Sequence, residues 1–129
     1  MSDYNLISIV IAIVGAFIIS GIWYAILGDK MTALQKNKNA ASDTMGPKLI
    51  AIEQVRNIVV VLIMAFLLRQ LGSDTWTEGL QYGLLFWTAF PVVLLAGSVV
   101  HEGVHPKLAA IHAGDWLLKL VFVAVVLSA

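Results

Sequence analysis

From Asn5 to Leu27 the chain runs without one charged side chain. At about 1.5 Å of rise per residue, a helix of that length covers about 34 Å, enough to cross the hydrocarbon of a bilayer. Three further apolar stretches follow, Leu49 to Leu71, about Gly79 to Val100 and about Lys107 to Ser128. Short polar segments separate them. Only 12% of the 129 residues are charged, about half of what a soluble domain carries. The sequence therefore predicts an all-α fold, a single four-helix transmembrane domain over residues 1–129.

The same composition narrows the chemistry. There is no cysteine, which removes disulfides, thiolate catalysis and Cys-based metal sites. The net charge is zero, so no general attraction draws the chain to nucleic acid. Met1-Ser2-Asp3-Tyr4-Asn5 lacks the basic start of a secretory signal, and the first stretch is expected to remain as a helix. The lipid bilayer is the expected partner, with a homo-oligomer as the expected assembly, since one small bundle encloses little volume.

The second and fourth stretches carry ionisable residues inside apolar sequence. Glu53, Arg56 and Asn57 share one helical face, and so do His112, Asp115 and Lys119. Asp and Lys near a helix centre each cost about 2.5–3.5 kcal/mol on insertion, against about 0.3–0.6 gained per large aliphatic residue. The fourth stretch is marginal alone, and partners on the second would make it a spanning helix. Counting along each helix places Glu53 and His112 about 10 Å from mid-bilayer, Arg56, Asn57 and Asp115 about 5 Å from it, and Lys119 near the centre. The expected pairs are Glu53 with His112 and Arg56 with Asp115, with Lys119 also in reach of Asp115. Such a cluster serves either as a polar latch between helices or as a proton relay, ion pathway or solute pocket. In the second case Glu53, Arg56, His112 and Asp115 form its wall and Lys119 its floor. His112 beside Glu53 is then the pair suited to exchange a proton near neutral pH.

Other features have two readings each. Trp23 and Tyr24 close the first span, where an interfacial belt accounts for them, and Trp87 and Trp116 lie deeper. Trp23, Tyr24 and Trp87 are also candidates to wall a pocket. Small residues recur four apart at Ser8, Ala12, Ala16 and Ser20, at Gly79 and Gly83, and at Ala109/Ala113 and Ala110/Gly114. Such ridges let helices approach closely, within one chain or between chains. His101-Glu102-Gly103-Val104-His105 fits the H-E-x-x-H zinc-protease pattern, which needs both histidines on one helix face. Pro106 opposes that geometry, and His105 is expected to begin the fourth helix instead.

Gly21-Ile22-Trp23-Tyr24, and Trp87-Thr88-Ala89-Phe90 in the third stretch, bear a resemblance of their own. They resemble the Gly-x-Trp-Tyr and Trp-x-x-Phe signatures of the bacterial four-helix membrane proteins known as domain of unknown function 1761. The family's Phe-Gly-Lys-x-Trp stretch is replaced here by Leu27-Gly28-Asp29-Lys30-Met31. The resemblance covers nearly the whole chain and implies architecture, without a cofactor or an activity. Lys30, Lys36, Lys38, Lys48 and Lys107 flank one end of the bundle and Arg69 the other. That bias puts the lysine-bearing loops in the cytoplasm of a bacterial inner membrane and both termini outside. Three uses follow for the chain. It moves or binds a proton, ion or small solute at the charged cluster. Alternatively, it is a membrane-embedded metal-dependent hydrolase built on His101, Glu102 and His105, or a non-catalytic scaffold or accessory subunit that binds a partner helix through its small-residue ridges.

Overall fold

A computed structural model describes residues 6–34 and 47–129. The described residues are all-α. The helices are α1 (Leu6–Leu34), α2 (Pro47–Gln70), α3 (Trp76–Trp87), α4 (Val93–Glu102) and α5 (Pro106–Ser128). A π-helical turn, Thr88–Val92, joins α3 to α4, so those two form one continuous rod. Among the described residues four segments are long and apolar enough to cross a membrane: Leu6–Lys30, Ile50–Gln70, Trp76–Glu102 and Pro106–Ser128. Residues 1–5 and 35–46, with Lys36 and Lys38 among them, lie outside the described residues.

Local sequence sets the helix ends. Pro47 and Pro106 open α2 and α5, where a missing N–H deprives no carbonyl of a partner. Thr75 caps α3 by accepting the Glu78 N–H, while Glu78 reaches back to the N–H of Asp74. The π-turn marks Pro91, which has no N–H to continue the ladder and crowds the turn before it. The Thr88 hydroxyl takes up one carbonyl of that region, Leu84 O, at 2.9 Å.

α5 lies at the centre. It packs along α1 and α3 and touches α2 and α4. The apolar core joins Ala12 and Ala16 of α1, Val61, Met64, Ala65 and Leu68 of α2, and Leu120, Val123, Ala124 and Leu127 of α5. It fills the half of the bundle where α1 begins and α5 ends. A buried hydrogen bond of 2.7 Å between Ser73 and Ser128 closes that end. The small-residue ridges of α1 and α3 pack inside the chain. Ala12 and Ala16 are fully buried, and Gly79 and Gly83 lie directly on the backbone of α5.

A methyl group at Gly79 would sit 2.5 Å from the carbonyl oxygen of Ala124, whereas one at Gly97 would meet nothing within 4 Å. Gly79→Ala is therefore expected to destabilise the protein by about 1–3 kcal/mol through overpacking. Gly97→Ala, which gains helix propensity without a clash, is expected to be neutral or stabilising by up to about 1 kcal/mol. Unfolding midpoints in detergent measure both.

Candidate functional site

The other half of the bundle holds the polar residues, and Asp115 is their centre. Its side chain is 2% exposed, within a helix read as membrane-spanning. An ionised carboxylate there must be surrounded by donors. Ser20 and Tyr24 of α1, four residues apart on one face, supply two. The Ser20 hydroxyl donates to Oδ1 at 2.7 Å and the Tyr24 hydroxyl to Oδ2 at 3.3 Å. Lys119, one turn along α5, brings Nζ to 3.1 Å from Oδ2. Its ammonium also lies 3.9 Å from the centre of the Trp116 ring, a favourable placement for a desolvated cation.

The network continues outward through Tyr24. Its hydroxyl is 2.8 Å from Nδ1 of His112 and has one proton to give. When His112 carries a proton on Nδ1, it donates to Tyr24 and Tyr24 donates to Asp115. A directed chain then runs from imidazole to carboxylate. In the other tautomer Tyr24 donates to His112, and Asp115 keeps only Ser20 and Lys119. Moving one proton on His112 thus changes the hydrogen bonding of a buried carboxylate one residue away in the network.

Two tryptophans hold α5 in the rotation that makes these contacts. Trp23 of α1 donates its indole N–H to Ile111 O, and Trp87 of α3 donates to Ala113 O, each at 2.8 Å. Both carbonyls lie in the turn leading to Asp115. The Trp23 ring lies against Gly114, where an added Cβ would come within 2.5 Å of it. Only a residue without a side chain admits the indole at that point. Of the aromatics read as belt or pocket wall, Trp23 and Trp87 therefore meet the backbone of α5, and Tyr24 meets its side chains.

The second span is turned differently from expectation. Glu53 and Arg56 pair with each other along α2, with side chains 55% and 59% exposed. The contacts of Asp115 come from α1 and α5. The expected pairs Glu53–His112 and Arg56–Asp115 are thus replaced by Glu53–Arg56, Tyr24–His112 and Lys119–Asp115. Residue counting fixes depth and leaves rotation open. Asn57 donates to Ile13 O of α1 at 2.8 Å, while Glu53 and Arg56 stay exposed. Ser20 was legible only as a small residue, although Ser8, Ala12, Ala16, Ser20 and Tyr24 form one stripe that ends in two hydroxyls.

His101 and Glu102 end α4, and Gly103 leaves the helix with φ of 68°. His105 is extended and caps α5, its Nδ1 accepting the N–H of Lys107 at 3.1 Å. The two histidines of the H-E-x-x-H string therefore do not share a helix face, as Pro106 dictates. Among the described residues no three His, Asp or Glu side chains group to hold a metal ion.

The sequence profile of the family described as "Protein of unknown function (DUF1761)" matches residues 7–128. The chain belongs to this family. No curated protein and no solved structure matches it. Three residues of the signatures noted in the sequence lie at the site: Trp23 and Trp87 brace α5, and Tyr24 bridges His112 and Asp115.

Removing one partner of a buried ion pair leaves a charge stranded. Asp115→Leu is expected to cost about 3–5 kcal/mol, and adding Lys119→Met should recover most of it. Equilibrium unfolding of the two single variants and the double variant in mild detergent measures this coupling.

Proposed function

We propose that this DUF1761 protein binds a proton, ion or small solute at the Asp115 cluster, and that a proton suits the geometry best. One observation carries the reading: a nearly inaccessible carboxylate is linked through a single hydroxyl to the half-buried imidazole of His112. Imidazole is the side chain suited to exchange protons with water near neutral pH. Tyr24 passes the proton inward, Asp115 receives it, and Lys119 offsets the carboxylate charge when the site is empty. Trp23, Trp87 and Gly114 fix the positions.

Binding from one side fits better than conduction through a single chain. Beyond Lys119 the inward face of α5 is apolar, Leu120, Val123, Ala124 and Leu127, until Ser128. Nine residues of rise, about 13 Å, separate the two polar groups. The lysine-rich end, with Lys30, Lys48 and Lys107, supports a cytoplasmic opening in a bacterial inner membrane. The site would then load and unload on the cytoplasmic side, with both termini outside.

Infrared titration of the protein in lipid tests this. A protonated-carboxyl band that grows with acidification, vanishes in Asp115→Asn and shifts in Tyr24→Phe is expected. Spectra that Asp115→Asn leaves unchanged at every pH would remove the proposal.

A further inference from the structure

In a bilayer an exposed leucine needs no partner, whereas an exposed ion pair does. Glu53 and Arg56 are more than half exposed, and both lie within the span Ile50–Gln70. Counted from Ile50, they stand about 5 and 9 Å into it. Their face of α2 continues with Ile52, Arg56, Val59, Ile63 and Phe66, every one exposed. The steps between these residues alternate four and three, the spacing of a seam between two helices that cross at a small left-handed angle.

We propose that this face of α2 binds the same face of a second copy, about a two-fold axis normal to the membrane. The argument is charge complementarity. A two-fold contact pairs each residue with its counterpart's neighbours, so an interface carrying one anion and one cation per copy closes on itself. Helical side chains lean toward the helix N-terminus, which carries the Arg56 guanidinium back to the level of Glu53. Its five N–H donors in a planar fork can serve its own Glu53 and Glu53 of the second copy together. Four charges then sum to zero away from lipid. A phospholipid headgroup fits less well, because a phosphate drawn to Arg56 is repelled by Glu53 beside it. This assembly goes beyond the proton-binding reading and does not rest on it.

The absence of native cysteine allows a direct test with single-cysteine variants in membranes. Val59→Cys and Ile63→Cys are expected to give disulfide-linked dimers on mild oxidation. Leu94→Cys, exposed on the third span, is expected to stay monomeric. Arg56→Gln in the Val59→Cys background should lower the dimerisation constant about three- to tenfold, and exchanging the charges, Glu53→Arg with Arg56→Glu, should restore it. No dimer at position 59 or 63, or equal linking at position 94, overturns the proposal. The cysteine comparison leaves both charges in place, so it decides the matter even if the charge variants insert poorly.

Discussion

A carboxylate held in hydrocarbon must find donors within the protein, and the position of Asp115 imposes this on the whole bundle. Ser20 and Tyr24 reach it only if α1 and α5 lie close. That approach is secured by Ala12 and Ala16 farther along the same face, where larger side chains would hold the helices apart. It also requires Gly114, because Trp23 occupies the space a side chain would take. From the opposite flank α3 can grip α5 only because Gly79 and Gly83 present bare backbone to it. Small residues, indole donors and the charged group are therefore parts of one arrangement. Each fixes the rotation of α5, and that rotation decides whether the charge is satisfied.

Much of this was legible in the sequence. Four apolar runs with short polar breaks leave little choice but spanning helices, since hydrocarbon satisfies no backbone group. Pro106 was enough to take His105 out of the preceding helix, and Pro91 lies where the rod widens into a π-turn. Which residues of the site meet was less legible. Periodicity shows that His112, Asp115 and Lys119 share a face, and rise per residue shows their level, but neither shows which neighbour that face meets. The opposite charges on α2 suggested an answer from Coulomb attraction alone. The structure answers with neutral hydroxyls on α1, while Asn57 ties α2 to α1 and the charges of α2 pair with each other. Ser20 stayed hidden because serine in a membrane helix serves both as a small packing residue and as a donor.

The Asp115–Lys119 and Glu53–Arg56 pairs consequently have different environments. Asp115 and Lys119 are enclosed and linked to a titratable imidazole, which makes them suited to chemistry. Glu53 and Arg56 are open and self-complementary, which makes them suited to assembly. A dimer through α2 would leave the α1–α5 contact untouched and bring two such sites into one particle. Trp23, Tyr24 and Trp87 all lie at the enclosed group, so the aromatics noted in the sequence also orient the buried charge.

The rotation of α5 decides whether Asp115 is satisfied, and an internuclear distance measures it. Solid-state NMR of the protein in lipid, with the Asp115 carboxyl carbon and the tyrosine ring carbons labelled, should show dipolar coupling to Tyr24 Cζ at about 4–5 Å, as a hydrogen bond between the two groups requires. Coupling of that carboxyl carbon to the Arg56 guanidinium instead, with none to Tyr24, would contradict the account.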